Sequence, residues 1–141
     1  MAALSRSVFV ALLYKNPKGK YEVALVLNPE SKPAPHINKP SGWGMIGGRA
    51  QKGEKPLQTA LRECREEASI TLDPSVFQAE RRETDETTGH ERYALFAILY
   101  ERLPLKPGDD ILDARWFPID ELPENTYRSH LKRFQWFENL L

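Results

Sequence analysis

The chain has 141 residues, with 20 Lys and Arg balanced by 20 Asp and Glu, 40% hydrophobic and 28% charged residues, and a single cysteine. That length and balance describe one domain with a real core and exclude a disordered tail, a fibrous repeat and a disulfide scaffold. Formal neutrality argues against a protein that coats nucleic acid or anionic membrane through bulk charge, while leaving a local basic patch open.

Val8 to Tyr14 is a continuous apolar run rich in β-forming residues, far too short to span a bilayer. Arg6 precedes it, but Tyr14-Lys15-Asn16-Pro17 stands where a signal peptide would carry its small-residue cleavage site. A strand is therefore predicted, in a soluble, cytoplasmic protein. The turn Asn16-Pro17-Lys18-Gly19 and a second run, Tyr21 to Leu27, complete a strand-turn-strand unit. From Asn28 to Gly44 the chain carries Pro29, Pro33, Pro35, Pro40 and Gly42 with little periodicity, which predicts a long loop where a substrate could be met. It runs into Trp43-Gly44-Met45-Ile46-Gly47-Gly48. Pro56 then opens a helix whose apolar residues Leu57, Ala60, Leu61, Cys64 and Ala68 form one stripe. Val76 to Glu83 and Arg92 to Arg102 have strand character on either side of a polar tip and read as a second hairpin. A loop from Pro104 to Asp110, a short strand from Ala114 to Pro118, a turn from Ile119 to Pro123 and a helix from Arg128 to Leu141 follow. In that last helix Leu131, Phe134 and Leu141, with Tyr127, are expected to pack on the sheet. With no internal repeat and no second core, residues 1–141 read as a single domain.

The polar side of the central helix carries the chemistry. Arg62, Glu63, Glu66 and Glu67 lie opposite the apolar stripe, and Glu63 is related to the other two glutamates by i,i+3 and i,i+4 spacing. Like charges so spaced repel, and a divalent cation would reverse the sign of their interaction. Oxygen-only ligands favour magnesium or manganese over zinc, and magnesium readily bridges carboxylates to phosphates, which points to attack of water on phosphorus. A solvated acidic helix face is the competing reading of three glutamates alone. His36, His90 and His130 are scattered without a cysteine partner, which disfavours zinc, and Cys64 on the apolar stripe reads as a buried structural thiol.

The surrounding spacing separates these readings. From Gly48 the chain reads Gly, five residues, Glu54, seven residues, then Arg62-Glu63-Cys64-Arg65-Glu66-Glu67-Ala68-Ser69-Ile70. This resembles the Nudix box, in which a glycine, a glutamate and an Arg-Glu-apolar-x-Glu-Glu-x-Gly-apolar run occur at these intervals. Six fixed identities at fixed spacing arise by chance about once in 10⁷ starts, so the acidic-face reading yields. Trp43-Gly44-x-x-Gly47-Gly48 and Ala114 to Pro123 also look like the family's approach segment and late strand with its turn. Two positions depart from the pattern: Ser69 stands at the usual helix-ending glycine, and Ile46 at a frequent proline. Serine there costs on the order of 1 kcal/mol or requires a different cap.

The resemblance implies an α/β fold, an α/β/α sandwich around a central mixed β-sheet, and metal-dependent cleavage of a pyrophosphate bond in a nucleoside triphosphate or other nucleotide derivative. A catalytically silent nucleotide-binding module is the alternative. By the same resemblance Glu63, Glu66 and Glu67 supply metal ligands with the carbonyl of Gly47. The ion is Mg²⁺, with Mn²⁺ able to substitute. Glu63 or Glu67 acts as general base, Arg62 positions the carboxylates, and Glu54 orients Arg62 or caps amides. An additional loop acid is sought among Asp109, Asp110, Glu83, Asp85 and Glu86, with Asp110 favoured. Lys39, Arg49 and Lys52 are candidates for phosphate contact, and Trp43 either stacks on a base or packs beneath the loop. The expected partner is a small nucleotide, with no membrane and no nucleic acid except a capped or triphosphorylated RNA end; a homodimer is left open.

Overall fold

In the computed structural model, which describes residues 5–108 and 110–141, strand β1 (Arg6–Lys15) is buried on both faces. That is why its sequence is a continuous apolar run rather than an alternating one. Val8, Val10 and Leu12 join one core with Ala60, Cys64 and Ala68 of α1 (Pro56–Ala68), while Ala11 and Leu13 join another with Phe134 and Phe137 of α2 (Arg128–Leu140). Each such Val or Leu, fully removed from water, contributes roughly 1.5–3 kcal/mol before its ordering cost. The sheet between the two helices runs β6 (Phe77–Thr84), β7 (Glu91–Leu99), β1, β5 (Gly42–Arg49), β2 (Tyr21–Asn28) and β8 (Asp113–Pro118). The β1–β7 pair is parallel and the other pairs are antiparallel, so the predicted α/β/α sandwich around a mixed sheet is what the chain forms. The run from Tyr93 to Tyr100 lies mainly in β7, an interior strand between β6 and β1. Among the described residues no helix is long and apolar enough to cross a membrane.

One irregularity of this sheet makes room for a site. The hairpin of β1 and β2 pairs only from Leu13↔Val23 to Lys15↔Tyr21, after which the two strands splay. Strand β5 wedges into the gap: Gly42 to Met45 pair with β2, and Ile46 to Arg49 pair with β1. From Gly47 onward the edge of β5 that faced β2 is open, and α1 lies over it.

Two sequence expectations are corrected here. The segment read as a long loop contains a small antiparallel hairpin, β3 (Ser31–Ala34) and β4 (Ile37–Lys39), and its end is β5 itself. Its prolines signalled irregularity, but proline is tolerated in a two-stranded, exposed ribbon. In α2 the sheet-facing residues are His130, Phe134 and Phe137, while Leu131 and Leu141 are 40% and 41% exposed. The helix is rotated toward His130 because its Nδ1 accepts the Met45 N–H of β5 at 2.9 Å, a buried donor that no apolar side chain could satisfy.

His130 should also make the fold pH-sensitive. Accepting through Nδ1 requires the neutral ring, and burial, with Arg133 and Lys39 nearby, pushes its pKa down to about 4. A folded pKa below the unfolded value means that its stabilising contribution is complete above pH 6.5 and is lost as the pH falls from 6.5 to 4. That loss should be about 3 kcal/mol. Urea titrations of native protein and His130→Asn, whose amide oxygen can replace Nδ1, should show a smaller loss in the variant across that window. Equal pH dependence in both proteins would refute the assignment.

Candidate active site

The site is organised around one guanidinium. Arg62 directs Nε and Nη2 at the two oxygens of Glu54, at 2.8 and 3.0 Å, in a fork-to-fork pair. Nη2 also donates to the Arg49 carbonyl at 3.0 Å, and Nη1 donates to both Glu63 Oε1 and Glu66 Oε2 at 2.9 Å. All five donors of the guanidinium are thereby used. Glu54, just ahead of α1, accepts in addition from the Gln51 N–H and the Thr59 hydroxyl. The Arg62 guanidinium holds its pKa down to about 2. One carboxylate thus pairs with Arg62 and accepts from the Gln51 amide ahead of the helix.

Contrary to a simple picture of opposite faces, Glu63 is only 8% exposed and sits at the boundary between the polar face and the core. Gly48 allows this. A Cβ on Gly48 would lie 2.6 Å from Glu63 Oε1, so the β5 backbone can approach the carboxylate only without a side chain. Glu67 Oε1 accepts the Gly47 N–H at 2.8 Å, using the strand edge that β2 vacated. Burial raises the pKa of Glu63, and burial likewise lifts Glu67 to about 8, with Glu63 and Glu66 adding repulsion. Glu66 is the exposed member, its side chain 55% accessible.

The far end of α1 is clamped by the loop before β8. Ser69 takes a left-handed conformation, φ 57° and ψ 35°, and its N–H donates to the Arg65 carbonyl. The serine thus ends the helix as a glycine would, and its hydroxyl bond to the Lys106 carbonyl at 2.9 Å offsets part of the strain. The N–H groups of Lys106 and Gly108 donate to the carbonyls of Ala68 and Glu67. Gly108 packs so closely on the Glu66 carbonyl that any Cβ would collide with it. This contact carries Asp110, in a positive-φ conformation, to the glutamate end of the helix.

These elements enclose a cleft of about 560 Å³. Glu63, Glu66 and Glu67 of α1 line it together with Asp110, Lys39 of β4 and Tyr127. Lys39 Nζ lies 4.6 Å from the centre of the Tyr127 ring, and the Tyr127 hydroxyl donates to the Pro40 carbonyl, which ties the hairpin to the start of α2. The NUDIX domain profile matches residues 5–137 of the chain. The chain belongs to the Nudix family.

Individual relatives are distant. The Nudix chain is 31% identical over 91 residues to a nucleoside triphosphate pyrophosphatase/Nudix hydrolase fusion protein of Bifidobacterium longum, a match spanning 64% of this chain but 19% of that protein. Among solved structures, the NUDIX domain of Shewanella oneidensis NrtR complexed with ADP ribose superimposes with a TM-score of 0.71 at 18% identity, covering 100% of this chain and 91% of that one. A Caenorhabditis elegans Ap4A hydrolase superimposes with a TM-score of 0.65 at 22% identity, covering 96% and 99%. These structural likenesses carry the fold.

Within the Nudix frame the sequence candidates separate cleanly. Glu63, Glu66, Glu67, Asp110 and Lys39 meet in the cleft, with Arg62 and Glu54 behind them. Arg49 and Lys52 line a different groove, and Arg49 contributes its carbonyl to Arg62 instead of a charge to the cleft. Trp43 is buried edge-on against Phe117 at 4.8 Å between ring centres, so it packs and does not present a stacking face. Asp85 caps its own turn through the Thr87 and Thr88 N–H groups, and Glu83 faces another groove. Asp109 lies outside the described residues. Cys64 is a buried thiol pushed up to about 12, in keeping with a structural role. Tyr127 and Asn28 also line the cleft; sequence spacing puts Tyr127 with the packing residues of α2, and no spacing rule separates those two uses.

Proposed function

We propose that this Nudix chain hydrolyses a pyrophosphate bond of a nucleotide or nucleotide derivative with the help of a divalent cation, Mg²⁺ or Mn²⁺. The observation that carries the reading is the cleft itself, where three glutamates of one helix, two of them well removed from water, face a single lysine. Among the described residues no three acidic, histidine or cysteine side chains converge closely enough to enclose an ion as they stand. The donor set nevertheless fits a hard cation in kind. Arg62 occupies one oxygen each of Glu63 and Glu66, and Gly47 occupies one of Glu67, leaving the second oxygen of each carboxylate without a hydrogen bond among the described residues. In a strand the N–H and C=O of one residue point to the same edge, so the bond from Gly47 N–H to Glu67 supports the Gly47 carbonyl as a further donor.

When bound, the cation supplies charge neutralisation for the phosphates and polarises the attacking water. The chain's own residues do the rest. Arg62 holds Glu63 and Glu66 together on one nitrogen, itself held by Glu54. Arg62 does not reach Glu67, whose second oxygen is left either to ligate the cation or, in place of that, to take the proton of the attacking water. Lys39, stiffened by the Tyr127 ring, meets the phosphate oxygens, and Asp110 is the additional acid.

The test is release of phosphate-containing products with Mg²⁺ or Mn²⁺ across nucleoside di- and triphosphates, nucleotide sugars, dinucleoside polyphosphates and capped RNA. Turnover of at least one class is expected. Ligand binding without turnover throughout would replace the hydrolase with a nucleotide-binding module. On the substrate so found, Lys39→Met should raise KM roughly tenfold, the loss of one charge-assisted phosphate contact, with a smaller change in kcat. An unchanged KM would remove Lys39 from the substrate site.

A further inference from the structure

Between α2 and the strands β6 and β7 lies a second groove of about 910 Å³, separate from the cleft. Its helix wall presents Arg128, Lys132, Arg133 and Trp136, and its strand wall presents Arg81 of β6 and Arg92 of β7 with Glu83 between them. The zero net charge of the chain conceals this concentration. Among the described residues Arg128, Lys132 and Arg133 form no ion pair, and the strand arginines have only long ones, Arg81 to Glu83 at 3.4 Å and Arg92 to Asp85 at 3.9 Å.

The arrangement works against helix stability. Arg128 and Lys132 repel at i,i+4 spacing, and they stand in the first half of α2, where the helix dipole already disfavours cations. Both costs become gains when an anion lies alongside. Arg133 is held in place for one: its guanidinium stacks 3.9 Å over the centre of the Phe9 ring, and Nη1 donates to the Ser129 carbonyl at 2.8 Å. Trp136, half-buried, is braced edge-on against Phe96 at 6.3 Å between ring centres and still borders the groove.

We infer that this groove binds a segment of single-stranded nucleic acid, its phosphates following the five cations and a base resting against Trp136. Cations lining a groove together with an aromatic side chain are the recurring chemistry of such binding. The groove follows a helix of 13 residues, about 20 Å, long enough for several consecutive phosphates. A flat anionic membrane would not enter it, and an acidic peptide would leave the indole without a planar partner. The inference does not rest on the reading of the cleft and adds to the nucleotide expected there.

The experiment is fluorescence anisotropy of a labelled single-stranded RNA of about a dozen nucleotides, and of the matching DNA, in the presence of a chelator so that nothing is hydrolysed. Saturable binding is expected, with a log–log salt slope of about −3 for four to five phosphate contacts. Arg128→Gln/Lys132→Gln, both at exposed positions, should weaken binding at least tenfold and reduce the slope by about 1.4. Trp136→Phe should weaken binding severalfold with the slope unchanged. Thermal melting checks that each variant is folded. Absence of saturable binding to either strand, or undiminished binding by the folded double variant, overturns the proposal. Equally tight binding of inorganic polyphosphate or of an acidic peptide overturns it as well, because the base would then contribute nothing.

Discussion

Glu67→Gln is expected to lose about 10³-fold in kcat on whichever nucleotide the native protein hydrolyses, while its fold is retained or strengthened. The amide keeps the side-chain volume and an oxygen that can accept the Gly47 N–H, so the 2.8 Å contact to β5 survives. What disappears is a carboxylate that burial has lifted to about 8. Because that folded pKa lies above the unfolded value, ionising Glu67 costs stability as the pH rises from 4.5 to 8 in the absence of divalent metal. The variant is free of that cost, so its thermal stability relative to native protein should increase with pH over the same window. Steady-state kinetics, with metal titration by calorimetry, checks the first part. A variant within threefold of native kcat would remove Glu67 from the catalytic machinery, and a fall in both activity and melting temperature would make its role structural.

Arg62→Met should cost about 3 kcal/mol of stability, measured as a shift in urea midpoint at neutral pH, and should abolish hydrolysis even at temperatures where the variant is folded. The guanidinium is the common partner of Glu54, Glu63 and Glu66, and the side chains of Glu54 and Glu63 are only 13% and 11% exposed. Its removal leaves poorly solvated carboxylates without a counter-charge. Arg62→Lys should recover only part of the loss, since an ammonium cannot fork onto Glu54 while reaching the Arg49 carbonyl and two further glutamates. Adding Glu54→Gln to Arg62→Met should cost less than the sum of the single changes, because the second change removes a charge that the first has orphaned. A loss below 1 kcal/mol, or strict additivity of the pair, would show that the network is a set of surface contacts.

Much of this molecule is legible in its sequence because local patterns and tertiary demands coincide. The apolar run of β1 announces a strand covered on both faces, the Leu57 to Ala68 stripe announces α1, and the glutamate spacing with Glu54 and Gly48 announces the family. A helix places i, i+3 and i+4 side chains together wherever it sits, so the carboxylates could be grouped before any fold was known. Glycine at position 48 could be noted but not explained, since its reason is a contact with Glu63 across the chain.

Tertiary structure decided what local pattern leaves degenerate. Leu131 and His130 precede Phe134 by three and four residues, both helical spacings, and the buried N–H of Met45, far away in sequence, settles the rotation toward His130. The splay of β1 from β2 frees the Gly47 edge for Glu67, and nothing within any one strand encodes that divergence. Arg49 and Lys39 are alike as sequence candidates, yet the hairpin of β3 and β4 carries only Lys39 into the cleft. The sequence by itself determined which groups are the candidates for the chemistry, since composition and short-range spacing are properties of the chain. The tertiary structure decided which of them meet and which are buried, and therefore which are charged, because burial and long-range hydrogen bonds exist only once the strands and helices have packed.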